Sequence, residues 1–249
     1  MIESVREADI QLHVLWRSTP EINIKQKNVI QYYSPDLSLS QARNYLVREV
    51  IQRGVIQSDD IVCFSDDDGL WTDSLEHKLK QEFSKGKKWL LGCYIDPEKG
   101  RDRLRFPAHE IFEINTSDIL KIASSLGIFI RGDVFLESGP FDESLGVGAE
   151  IPSGEDVEYA LRLLSLFGST SYIGELYQFH PYKARDEKKA VTISLSLIAY
   201  LAGIYPNVQT HALQAYKPML RGNRIGVLIA ARPISCYLMG KFRKSKSTW

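Results

Sequence analysis

Three consecutive carboxylates, Asp66, Asp67 and Asp68, close the stretch DDIVCFSDDDGLW at residues 59–71. The apolar run before them reads as a buried strand, and adjacent anions at the end of such a strand repel one another more strongly as water is withdrawn. A positive partner is therefore expected. A hard divalent cation, Mg2+ or Mn2+, takes carboxylate oxygens and keeps positions open for phosphate oxygens. The residue types predict a metal held by the aspartates and bridged to a phosphorylated ligand. The structural alternative is a helix cap, with Asp68 or Asp73 serving the helix that begins near Thr72. It explains one aspartate and leaves two.

Other groups fit the same chemistry. Glu155 and Asp156 follow Gly154 at a predicted helix start, where the dipole and free N–H groups keep a carboxylate ionised and the glycines leave room for a ligand. Arg43 and Asn44 fall in the first turn of a predicted helix, with a phosphate, an aspartate of the triplet, or a surface ion pair as partners for Arg43. His180, in YQFHPYKAR, follows the last strand of the α/β region, and a lone histidine there is more often structural. Lys183 and Arg185 lie just beyond it.

The elements that position these groups alternate. IQLHVLW (10–16) reads as a strand, SLSQARNYLVREVIQRG (38–54) as a helix with Ser40 as N-cap and Gly54 as its stop, and DIVCF as a strand. TDSLEHKLKQEFSKG (72–86) is a helix, KWLLGCYI (88–95) a strand, DPEKGRDRLRFP a charged loop, and EIFEI and LGIFIRG are further strands. GPFDESLGVGAEIPSG (139–154) is a long loop feeding the helix GEDVEYALRLLSLFG, then TSYIGELYQF returns one or two short strands. From Asp186 onward the pattern is helical. This is an α/β pattern with a single mixed sheet flanked by helices, and ligands in such folds sit beyond the carboxyl ends of strands. Trp89 reads as core, and Trp71, beside the aspartates, as packing or a ring platform.

Two families share a strand followed by D-x-D. CFSDDDGLWTDS resembles the first motif of haloacid-dehalogenase-type phosphohydrolases, in which Asp66 attacks phosphorus and Asp68 is the acid/base. The remainder of the chain resembles family 2 glycosyltransferases instead: LSQARNYLV upstream, FSDDDGLW at the metal motif, the strand ending in Arg131, GPFDESLG at 139–146 and GEDVE at 154–158, all in order across residues 10–182. That resemblance implies a GT-A (nucleotide-diphospho-sugar transferase) fold over 1–184 and a helical C-terminal extension over 185–249. It implies an inverting, metal-dependent transfer from a nucleotide-sugar donor to a glycan or lipid-linked acceptor, as in polysaccharide biosynthesis. Its site residues are then Asp66, Asp68 and His180 for Mg2+ or Mn2+; Arg43, Asn44, Asp67 and Arg185 for the donor; and Asp156 as base with Glu155 orienting the acceptor. The family also begins with a strand–turn–helix unit that is not found before residue 10, and Arg17 stands where an acidic residue often reads the base. The donor nucleotide is therefore left unnamed, and a non-catalytic GT-A-like scaffold is a third reading.

Composition sets the outer limits. Lys plus Arg and Asp plus Glu number 31 each, for a net charge of +0, so the whole molecule offers no field for nucleic acid. Cys63, Cys93 and Cys236 are odd in number and sit in apolar runs, which predicts reduced core thiols in a cytoplasmic-type compartment. No secretory signal is visible, and no apolar run reaches the roughly 20 residues of a membrane span. The tail YKPMLRGNRIGVLIAARPISCYLMGKFRKSKSTW ends in Lys241, Arg243, Lys244 and Lys246; it reads either as a peripheral helix on an anionic membrane surface or as a helical cap with a solvated end.

Overall fold

The structure, a computed structural model, describes residues 10–16, 26–102, 105–107, 109–182, 187–205 and 208. Two sheets carry the fold. Strands β1 (Leu12–Trp16) and β2 (Val29–Tyr33) form a parallel pair. Helix α1 (Leu39–Gln52) leads to β3 (Ile61–Cys63), then α2 (Asp73–Phe83), β4 (Trp89–Ile95), β5 (Ile111–Glu113), α3 (Thr116–Ile122), a 3-10 turn at Ser125–Gly127, β6 (Ile128–Arg131), α4 (Gly132–Ser138), α5 (Glu155–Phe167), β7 (Ser171–Phe179) and α6 (Glu187–Ile204). The larger sheet has the order β3-β6-β4-β7-β5 and is mixed, with β4 and β7 parallel and the other neighbours antiparallel.

Strands β4 and β6 are almost wholly apolar because both of their faces are covered. In β4, Trp89, Leu91 and Cys93 face a core shared with α3, α5 and α6, whereas Leu90 faces the opposite side with Leu75 and Leu79 of α2. In β6, Ile128 and Ile130 join the first core and Phe129 the second, the period-two alternation of a pleated strand. Leu197, Tyr200 and Leu201 of α6 enter the same first core, so this helix is continuous with the packing of the α/β layers. Among the described residues no helix is long and apolar enough to cross a membrane.

Several local expectations change. The N-cap of α1 is Ser38, not Ser40: Ser38 Oγ accepts the Gln41 N–H and the Gln41 side chain accepts the Ser38 N–H, a reciprocal capping box. Ser40 is instead buried and donates to Leu145 O at 2.6 Å, tying α1 to the 139–154 loop. Gly54 does end the helix, in the left-handed region at φ +63°. The α2 N-cap is Thr72, without a side-chain cap bond, so the cap alternative for Asp68 is not what the structure uses. Strand β2 and the short helices α3 and α4 were not expected. Their segments are brief, although Asn115 and Asp118 form a capping box that names the start of α3. Cys63 and Cys93 are free thiols, and burial pushes Cys63 up to about 12; Cys236 and the basic tail lie outside the described residues.

One close approach sets the sheet geometry near the site. A Cβ on Gly92 would fall 2.0 Å from Leu176 O, and one on Gly127 would fall 2.6 Å from Gly92 O. These glycines let the 3-10 turn sit against β4 and β7. Gly92→Ala would push against the backbone and Cβ of Leu176, so it is expected to lower stability by about 1–3 kcal/mol, read as a reduced urea midpoint with an unchanged m-value.

Candidate active site

The carboxyl ends of β3, β4 and β7 converge, and the sequence explains how. After Cys63 the chain turns through Phe64–Gly69, closed by the Gly69 N–H on Asp66 O at 3.0 Å. Leu70 then makes an antiparallel bridge with Phe179, its N–H donating at 2.8 Å and its carbonyl accepting at 3.0 Å. His180 is the next residue. Its N–H donates to Ile95 O at 3.0 Å, the last residue of β4. A register shift between β4 and β7, two residues against five, brings Tyr177–Phe179 alongside Cys93–Ile95.

This places His180 Nε2 2.9 Å from Asp68 Oδ1 and 3.3 Å from Asp66 Oδ2. One ligand atom from each of the three residues lies within 4.8 Å of the others. His180 is buried, and neither ring nitrogen makes a hydrogen bond. A buried imidazole facing two carboxylates without a hydrogen bond is a donor set suited to a divalent ion. The two oxygens satisfy a hard cation, and the nitrogen adds a ligand that transition ions such as Mn2+ accept more readily than Mg2+ does. Asp67 is exposed beside the cluster.

A second arm joins this cluster to α5. Arg43 is nine-tenths buried between the rings of Phe141 and Phe64, its guanidinium carbon 5.3 and 5.8 Å from their centroids. It donates to Glu155 Oε1 at 3.3 Å and to Ser125 Oγ at 2.9 Å, and it stands 3.7 Å from Asp66 Oδ1. Burial, reinforced by the charge of Asp156, pushes the Glu155 carboxyl up to about 7 against the opposing pull of Arg43. Gly154, at φ +91°, caps α5, and Asp156 is half-buried with Oδ1 accepting the Val157 N–H at 2.8 Å.

Of the residues expected from sequence, Asp66, Asp68, His180, Arg43 and Glu155 thus form one connected group, with Asp156 next to it on the first turn of α5. Asn44 is buried with its amide spent on the 139–154 loop. It donates to Phe141 O at 2.9 Å and Glu143 Oε1 at 3.0 Å, and accepts the Phe141 N–H at 2.8 Å. Arg185 lies outside the described residues.

Three supporting residues were not foreseen. Buried Asp96 accepts the Glu98 and Lys99 N–H groups and, through Oδ2, the Tyr182 N–H at 2.7 Å; these bonds hold its carboxyl below the usual range and fix the segment that carries His180. Gln178 is fully buried and bonded to Phe64, Ser65 and Leu126. Ser125 holds Arg43. Asp96 opens DPEKG, a turn whose first residue often accepts N–H groups further along, and Gln178 is a polar residue inside an aromatic strand; both signals are present in the sequence.

The central mixed sheet flanked by helices, with an acidic turn at its strand ends, is consistent with a nucleotide-diphospho-sugar transferase, or GT-A, fold. The structure matches that of S. aureus TarS 1-349, a GT-A-like glycosyltransferase, with a TM-score of 0.59 and 11% sequence identity over 98% of this chain and 88% of that one. No family model matches the chain. The likeness agrees with the expected GT-A fold.

The raised carboxyl of Glu155 has a thermodynamic consequence. Its folded value of about 7 lies above the ordinary 4.5, so the folded state holds the proton more tightly. The stability it contributes is fully present below pH 4.5 and is lost as pH rises to about 7. In chelated buffer, the stability of Glu155→Gln minus that of the parent is expected to grow across that window and level off above it. Urea titrations at a series of pH values measure this, and a flat difference contradicts it.

Proposed function

We propose that this chain is a metal-dependent, inverting glycosyltransferase of the family 2 type, moving a sugar from a nucleotide-diphosphate donor to a glycan or lipid-linked acceptor. The observation that carries this reading is the convergence of Asp66, Asp68 and His180 at the strand ends of a GT-A fold. These three residues would hold Mn2+ or Mg2+. The ion, when bound, neutralises the diphosphate that leaves with the nucleotide.

The chain's own groups supply the rest. Asp156, in the first turn of α5, is assigned as the base that accepts the proton of the acceptor hydroxyl; the helix N-terminus favours its ionised form. Glu155 orients the acceptor and is itself held by Arg43. Asp67, exposed beside the cluster, is assigned to the donor's ribose or sugar, and Arg185 to its diphosphate. Asn44 would support the donor side indirectly by clamping the 139–154 loop, and Arg43 by holding Asp66. Attack by the activated hydroxyl in one displacement inverts the anomeric centre, with no covalent intermediate required. An acceptor on a lipid carrier at the cytoplasmic face of a membrane would give the basic tail a purpose.

The test is a panel of nucleotide sugars incubated with and without Mn2+, following release of the nucleoside diphosphate. Turnover is expected with Mn2+ and is expected to vanish with Asp68→Ala. Asp156→Asn is expected to lower kcat by about 10²–10⁴-fold with donor binding retained. Turnover that survives both chelation and Asp68→Ala would remove the metal-dependent reading.

A further inference from the structure

We infer that Gln178 is a positioning residue for the Asp66–Asp68–His180 cluster, an inference that rests on the metal-binding reading above. Its amide uses every one of its obvious partners. Nε2 donates to Phe64 O at 3.0 Å and to Leu126 O at 2.9 Å, and Oε1 accepts the hydroxyl of Ser65. Phe64 and Ser65 immediately precede Asp66, and Gln178 itself stands two residues before His180. One fully buried side chain therefore ties the strand that presents the histidine to the turn that presents the aspartates.

The tie is placed where the backbone provides none. On the far side of the turn, Leu70 pairs with Phe179 through two backbone hydrogen bonds. On the near side, β3 pairs with β6, and β7 pairs with β4 and β5, so β3 and β7 share no ladder. Gln178 reaches across that interval and also holds the carbonyl of Leu126, in the 3-10 turn whose Ser125 fixes Arg43. The two ends of the aspartate turn are thus fastened to the same strand, one by backbone and one by the amide. Groups that hold metal ligands from behind typically alter metal affinity by about 10–100-fold when removed, and the geometry assigns that role to Gln178.

The experiment uses the full chain and Mn2+ alone. Manganese affinity is measured by titration calorimetry, and the bound ion's environment by its electron paramagnetic resonance line shape. Gln178→Met keeps the side chain's length and removes both donors and the acceptor. It is expected to weaken Mn2+ binding by about 10–100-fold and to change the line shape. Ser65→Ala, which loses one of the three bonds, is expected to give a smaller loss in the same direction. Leu79→Ala, in the core on the other face of the sheet, is a destabilising control expected to keep the parent's affinity and line shape. Affinities for Gln178→Met and Ser65→Ala both within about twofold of the parent would overturn the inference, as would an equal loss in Leu79→Ala. If Gln178→Met does not fold, Ser65→Ala decides in the same way. A parent chain that binds no Mn2+ overturns the metal reading itself, an outcome separate from intact binding that Gln178→Met leaves unchanged.

Discussion

The pair of backbone hydrogen bonds between Leu70 and Phe179 is the interaction on which the site depends. Asp66 and Asp68 are flanked by Phe64 and Trp71, and their charges favour separation and solvent. The bridge denies them that route. It lays the turn along the last residue of β7 and brings both carboxylates to the next residue, His180. Backbone pairing suits the task because it fixes direction as well as distance, and because like charges held by side chains alone could relax apart. Two carboxylates and a buried imidazole brought together in this way are the physical reason for reading the cluster as a ligand set.

Arg43 distributes charge between the two halves of the site. It is one guanidinium near two carboxylates, Asp66 on the aspartate turn and Glu155 on α5, with Ser125 taking a third contact. A buried cation of this kind is costly unless every direction is satisfied, and the flanking faces of Phe64 and Phe141 complete its shell. Burial, with the charge of Asp156, keeps the Glu155 carboxyl raised despite the pull of Arg43. Arg43 in this sense joins the aspartate turn to the first turn of α5, where Glu155 lies 112 positions further along the chain.

Much of this was legible from residue types. The apolar run into three aspartates pointed to the strand and turn, the continuous apolar runs of β4 and β6 to strands, and the acidic start of α5 to Glu155 and Asp156. What escaped was the long-range hydrogen bonding. Asn44 carries the same signature whether it binds a donor or clamps a loop, and only the positions of Phe141 and Glu143 reveal the clamp. Ser38 and Ser40 are equally good caps by type, and the choice fell to Ser38 because Ser40 was needed at Leu145. Strand β2 was missed because its register comes from β1 rather than from any pattern of its own.

The loop from Gly139 to Gly154 shows why such a site needs the whole fold. It contains no regular structure, yet it is held at Asn44, at Ser40, at the Leu39 N–H that donates to Val147 O, and at Asp142, which accepts the hydroxyl of Tyr200 on α6. Gly154 has a positive φ and Leu197 of α6 lies against it, so the start of α5 is shaped by the last described helix. A loop fastened at three points to α1 and at one to α6 can present carboxylates without collapsing onto them, which neither a helix nor a strand does with this many glycines. The helical pattern after residue 186 is therefore part of what sets the entry to α5, and the site draws on elements from both ends of the described chain.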